Sequence, residues 1–423
     1  MKLINLNAQL DNPYFLQGKD EVFLYLELKT AKVERKVERA PLNISLVIDR
    51  SGSMEGDNLN YVKKAVDFVI QNLSKNDYLS IVQYDDTVDV VSFSGLVTDK
   101  DALHRKVKAI VSGGMTNLSG GMLEGYNQVK TTQKDGFVNR VLLLSDGLAN
   151  VGITEPSQLK EIARKQFREN RVGLSSFGVG AGFNEELMTQ LSEHGGANYY
   201  FIETPDQIPQ IFAQELSGLL SVVTQNTTLE IEFPEAYMQV DKAYGYLFQQ
   251  TGNKVSFNFN DVFSEEEKAV VVKFKMKRPL DVSADFKVSL RYDDVVETMG
   301  KVTETETLKL LPTSDKALYE AAINKEAMEN VVFFVSNEMF QEIMLLGDQR
   351  LFDKAKSKLE SAIGYLKAYV EMFPASERLR NQLKEMENYL DRIPSMEVME
   401  GQDFAMAQKM SKSTNYMMQK RKI

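Results

Sequence analysis

Between residues 43 and 221 the chain alternates short apolar runs with longer helical patterns, and that alternation constrains the fold more than any other feature. The apolar runs fall near 43–48, 79–84, 141–145 and 172–179; helical spacing appears near 58–73, 118–130, 156–169, 184–193 and 206–221. Runs of roughly four to eight apolar residues without alternation are buried on both faces. Strand followed by helix, repeated, predicts a parallel sheet wrapped by helices on both sides. A shorter run near 88–93, after the turn Asp85-Asp86, fits an antiparallel edge hairpin. Open sheets of this kind place ligand sites beyond the C-terminal ends of their strands.

Two of those strand ends carry chemistry. The run Ile44 to Ile48 leads into Asp49-Arg50-Ser51-Gly52-Ser53, a carboxylate and two hydroxyls at alternate positions. In an extended loop alternate side chains point the same way, so three oxygen donors can converge. Hard cations of the Mg²⁺ type take such ligands. Each fragment alone has a plainer reading. Ser51 and Ser53 suit the cap of the helix near Asn58, Thr116 suits the cap of the helix from Leu118, and Asp146-Gly147 suits a turn. Their joint occurrence in order along the chain favours one shared site.

The Asp-x-Ser-x-Ser run resembles the metal-ion-dependent adhesion site of the von Willebrand factor A domain, also called the integrin I domain. In that family a Thr and an Asp further along complete the site. Gly113-Gly114-Met115-Thr116-Asn117 supplies the Thr, and the apolar strand Val141 to Ser145 ends in Asp146. The resemblance covers about residues 42–222. It implies a Mg²⁺ (or Mn²⁺) site formed by Asp49, Ser51, Ser53, Thr116 and Asp146. In the family the hydroxyls ligate directly and the carboxylates often act through water. Neutral direct ligands leave the ion electrophilic, so a protein partner presenting an Asp or Glu becomes its last ligand. Arg50 is a candidate partner-binding residue beside that carboxylate, or else pairs with a local acid or points to solvent. More narrowly, the whole chain resembles bacterial single-domain relatives, some labelled chloride-channel homologue or inter-α-trypsin-inhibitor-like.

The flanks have other periods. Glu21 to Leu28 reads as a strand with little alternation and Leu3 to Leu10 as another, while Lys29 to Arg39 is a charged connector. From about Thr224 the period becomes two, in Leu229–Phe233, Val255–Phe259 and Phe286–Leu290, with Val270–Met276 and Thr303–Leu311 beside them. That set is small for a sandwich, and the N-terminal strands can complete it. The expected fold class is therefore α/β: a Rossmann-like doubly wound domain (41–222) inserted in an immunoglobulin-like β-sandwich made of residues 1–40 and 223–312. A helical region, 313–423, follows, with helices expected over 315–346, 348–373 and 376–392, punctuated by Pro374 and Pro394. The stripe Leu351, Ala355, Leu359, Ile363 and Leu366 reads as a core face. The Met-rich tail from Glu400, ending Gln419 to Ile423, reads as a solvated or disordered terminus.

Composition narrows the function. The net charge of −10 argues against nucleic acid as a partner. The absence of cysteine removes disulfides, thiolate catalysis and Cys-based zinc sites. No signal-peptide-length apolar run opens the chain, and Val331 to Val335 is far too short to span a bilayer, so a cytoplasmic protein without a membrane span is expected. Enzyme motifs are lacking. His104 and His194 are the only histidines and adjoin no nucleophile motif; no nucleophile elbow, zincin motif or phosphate loop occurs. Gly178-x-Gly180-x-Gly182 reads as a strand-to-helix turn. Ser51 stands where a phosphatase of the haloacid-dehalogenase type needs its second Asp. The expected function is a non-enzymatic, metal-dependent adaptor for a protein partner. The alternative is a regulatory subunit of a larger enzyme such as an AAA+ ATPase or chelatase-type complex.

Overall fold

The computed structural model describes residues 2–32, 40–146, 149–180, 183–296 and 300–420. Most of the charged connector, Gly147, Gly182 and the last three residues of the basic tail lie outside the described residues.

Three strands precede the central domain: β1 (Ile4–Leu10), β2 (Tyr14–Leu16) and β3 (Glu21–Thr30). The domain then runs β4 (Leu42–Asp49), α1 (Asp57–Asn72), β5 (Tyr78–Tyr84), β6 (Val88–Leu96), α2 (Lys100–Lys108), α3 (Leu118–Thr132), β7 (Val138–Ser145), α4 (Pro156–Asn170), β8 (Gly173–Val179), α5 (Glu185–His194), β9 (Tyr199–Ile202) and α6 (Ile208–Leu220). Its sheet has the order β6-β5-β4-β7-β8-β9. Every pairing is parallel except β5 with β6, the expected edge hairpin. Strand β4 is buried along its whole length because both faces are covered. Ile44, Leu46 and Ile48 pack with Val62 and Val66 of α1, Val107 of α2 and Phe212 of α6. Val47 faces the other way, toward Met122 of α3, Leu159 of α4 and Leu187 of α5. Period-two side-chain alternation thus feeds two separate cores, which is what doubly wound means physically.

The chain continues through β10 (Val222–Glu232), β11 (Met238–Tyr244), β12 (Phe248–Thr251), β13 (Lys254–Phe263), β14 (Glu267–Met276), β15 (Ala284–Asp294) and β16 (Lys301–Thr313). These join the N-terminal strands in two sheets, β1-β3-β14-β11 and β12-β13-β10-β15-β16-β2. Leu24, Leu26, Val270 and Phe274 of one sheet share a core with Leu229, Ile231, Phe257 and Phe286 of the other. The expected sandwich, made from segments on both sides of the inserted domain, is the observed one. The weak alternation of β3 has a reason: Tyr25 turns away from the sandwich core and packs, with Val271, on the C-terminal helices.

Those helices are α7 (Lys316–Ala321), α8 (Lys325–Asp348), α9 (Phe352–Met372), α10 (Glu377–Val398) and α11 (Gly401–Gln419). Three expectations need correction here. The stretch 315–346 is two helices, because the Asn324 side chain accepts from Ala327 N and starts a new one. Pro394 lies inside α10, which continues to bury Met396. The tail from Glu400 is a packed helix: Tyr416 and Met418 are buried, and Tyr416 stacks edge-on against Tyr199 of β9 with centroids 5.6 Å apart. Its polar, Met-rich face carries little apolar periodicity, so its docking was not legible. Of the stripe on α9, Ala355, Leu359, Ile363 and Leu366 are buried as expected, while Leu351 precedes the helix and is exposed. Among the described residues no helix is long and apolar enough to cross a membrane.

Candidate functional site

Asp49 ends the central strand and is fully buried. The chain then turns through a short 3-10 segment, Gly52–Met54, that keeps Ser51 buried and leaves Ser53 exposed. The two hydroxyl oxygens lie 3.2 Å apart. Ser51 N donates to Asp49 Oδ1 at 2.9 Å, which folds the loop back over the carboxylate. Ser145 Oγ and Tyr84 OH donate to Asp49 Oδ2 at 2.6 and 3.3 Å.

Backbone hydrogen bonds tie the second segment to the first. Gly52 N donates to Gly114 O at 2.8 Å, and Gly113 N to Arg50 O at 2.7 Å. Glycine is required at 113: a Cβ there would lie 1.8 Å from Asp85 Oδ2. Thr116, three residues further on, is 2% exposed. Its amide donates to Asn150 Oδ1 at 2.7 Å, and its carbonyl accepts from Asn150 N and Val151 N, both at 3.1 Å. Those bonds anchor it to the segment that follows β7. Asp146 is buried at the end of β7, and its carbonyl accepts from Asn184 N at 2.8 Å. Asp49, Ser51, Ser53, Thr116 and Asp146 therefore lie on the loops at the C-terminal rim of the sheet, four of them buried.

Burial, and then the charge of Asp146, push the Asp49 carboxyl up to about 6. The Asp146 charge beside it in a buried pocket disfavours the ionised form of Asp49, a conflict that a cation removes. The donor set, two acids and three hydroxyls without nitrogen or sulfur, fits a hard divalent ion of the Mg²⁺ type.

Arg50 lies beside this site with its Nη2 2.9 Å from Asp85 Oδ2 and 3.6 Å from Asp89 Oδ2. This is the local-acid arrangement. Although burial opposes it, the hydrogen bonds from Thr87 and Gly114 and the charge of Arg50 hold the Asp85 carboxyl below its ordinary value. His104 meets Asp67 on α1, and His194 ends α5; neither adjoins the site.

Tyr84 and Ser145 escaped the sequence reading as partners of Asp49. They were findable, because adjacent parallel strands place Tyr84 opposite Asp49 and Ser145 immediately before Asp146. Lys409 was not findable. It reaches in from α11, donates to Phe183 O at 2.6 Å, and sits 3.9 Å from the Phe183 ring centroid. Burial pulls its ammonium down to about 8, against the upward pull of Glu185.

A sheet of this order and connectivity defines a class of domain, and the comparisons agree. Residues 43–214 match the family model of the von Willebrand factor type A domain, so the chain carries such a domain, a protein-interaction module type. It is 32% identical over 218 residues to the uncharacterized protein YfbK of Escherichia coli, which covers 50% of this chain and 37% of that one. It is 28% identical over 206 residues to inter-alpha-trypsin inhibitor heavy chain H3 of Pongo abelii, covering 46% of this chain and 23% of that one. The match thus spans well under half the length of either relative. Two solved structures share the fold across nearly the whole chain. A von Willebrand factor type A protein from Catenulispora acidiphila superposes with a TM-score of 0.70 at 14% identity over 89% of both chains. The ArnB paralog VWA2 from Sulfolobus acidocaldarius gives 0.65 at 16% identity over 98% of both.

Proposed function

We propose that this chain is a non-enzymatic, divalent-metal-dependent interaction module whose bound ion receives an acidic residue of a protein partner. The supporting observation is the gathering of Asp49, Ser51, Ser53, Thr116 and Asp146 by backbone bonds between Arg50–Gly52 and Gly113–Gly114. When bound, Mg²⁺ or Mn²⁺ supplies an electrophilic centre that a carboxylate neutralises. The chain's own residues prepare it. Ser145, Tyr84 and Ser51 N fix the Asp49 carboxylate. Asp85 holds Arg50, which keeps the loop in place. Met115, 52% exposed next to Thr116, offers apolar surface at the rim for a protein partner.

Titration calorimetry with Mg²⁺ or Mn²⁺ tests the ligand set. Wild type is expected to bind one ion, Asp49→Ala none, and Ser53→Ala and Thr116→Ala more weakly. Equal binding by wild type and Asp49→Ala removes the assignment. Partner capture is expected to vanish in chelator. It should also fall sharply when the contacted Asp or Glu of the partner becomes Asn or Gln, since a charge-assisted contact becomes a neutral one.

A further inference from the structure

At the other end of β7 the α/β domain meets the sandwich around a cavity of about 400 Å³. Arg140 lies in its wall, six residues before Asp146, roughly 20 Å away by strand rise. The cavity is thus remote from the candidate metal site. Its lining holds five cationic side chains against three acidic ones, together with Phe167, Phe259 and Phe263.

Arg140 is the residue that points to a ligand. It is 2% exposed, and its Nη2 donates to Asp261 Oδ2 at 3.1 Å. Its Nε and Nη1 have no hydrogen-bond partner among the described residues. A buried guanidinium with unmet donors is unfavourable unless something fills them. Asp261 is already shared with Gln225 Nε2 at 3.4 Å. The fold also makes way for the guanidinium: a Cβ on Gly173 would lie 2.1 Å from Nη1. Other cations are matched by acids. Lys268 Nζ is 2.8 Å from Glu266 Oε1, Lys420 Nζ is 3.7 Å from Glu193 Oε1, and Arg164 pairs with Glu161. Arg168, exposed at the rim, faces the neutral amide of Gln249. Burial, and then the charge of Arg164, pull its pKa down against the upward pull of Glu161.

We propose that this cavity binds a small organic anion, an oxyanion carried on an aromatic body, with Arg140 and Arg168 receiving the charge and the phenylalanines flanking the ring. The oxyanion is a carboxylate or a phosphate, and two probes separate them. Calorimetric titration of the full chain uses benzoate, phenyl phosphate and neutral benzyl alcohol, in chelator so that no bound metal takes the anion. At least one anion is expected to bind with one-to-one stoichiometry, benzyl alcohol about tenfold or more weakly. Arg168→Gln is expected to weaken the anion about tenfold, and Asp49→Ala to leave it unchanged. Arg140→Lys, checked by its melt for folding, is expected to abolish it; if that variant does not fold, Arg168→Gln carries the test. Absence of binding by both anions, equal binding of the alcohol, or undiminished binding by Arg168→Gln overturns the site.

Discussion

Asp49 occupies a position that opposes its own ionisation. A carboxyl raised from 3.8 to about 6 binds its proton more tightly in the folded chain than in the unfolded one. The ionised form therefore destabilises the metal-free fold above about pH 6, and the penalty is gone below about pH 4. Stability in chelator is expected to rise as pH falls across that window, with a contribution from Asp49 of order 3 kcal/mol at 1.36 kcal/mol per unit. Asp11, raised to about 6, and Glu185, raised to about 7, add the same sign, so the measurement is a difference. Asp49→Asn should flatten part of the pH profile of chemical denaturation, and its stability relative to wild type should peak at neutral pH. A profile identical to wild type contradicts this account. The five candidate residues were legible through the resemblance to the von Willebrand factor A domain, whose motif they match in order along the chain. Tyr84 and Ser145 were less legible, because their role depends on which strands are neighbours, and strand order is a long-range property.

At the level of elements, α11 separates what pattern reveals from what packing decides. A helix with a continuous apolar stripe announces its buried face, as α9 does from Ala355 to Leu366. Helix α11 instead buries Gln408, Lys409, Ser411 and Asn415, and satisfies them by hydrogen bonds. Asn415 Oδ1 accepts from Asn337 Nδ2 at 2.8 Å, and Gln408 Oε1 from Tyr389 OH at 2.9 Å. Polar residues of this kind read as solvated in a sequence, because nothing local tells that partners await them. Helix α2, whose Asp99 side chain accepts from Ala102 N, went unread for a similar reason: Val107 is its only buried apolar residue. If α11 is structural, Tyr416→Ala should cost about 3–5 kcal/mol by analogy with other buried aromatics. Lys409→Ala should cost a further 1–3 kcal/mol or so by leaving Phe183 O unpaired in a buried place. Urea denaturation of each variant checks this, and values within about 0.5 kcal/mol of wild type would restore the solvated tail.

On the scale of the whole molecule, the sandwich closes only when chain from both sides of the inserted domain meets. Strand β3 sits between β1 and β14, and its Leu24, Leu26 and Leu28 fill the sandwich core. Deleting residues 1–30 should bare the edge of β14 and half of that core, giving an aggregating product by light scattering. A soluble monomer with an unchanged melting point contradicts the shared sandwich. Metal removal should act differently. The candidate ligands lie on loops at one rim of the sheet, whereas the cores on its two faces, the sandwich core and the helical core are apolar clusters. None of these cores includes a site carboxylate or hydroxyl, in contrast to a small zinc domain whose ligands replace a core. Binding then adds only its linkage term, about 3 kcal/mol at a hundredfold excess over Kd. Calorimetric melts in Mg²⁺ and in chelator are expected to keep one cooperative transition of similar enthalpy, displaced by a few degrees for a chain of this size. Loss of the cooperative transition on chelation alone would mean that the ion organises the core.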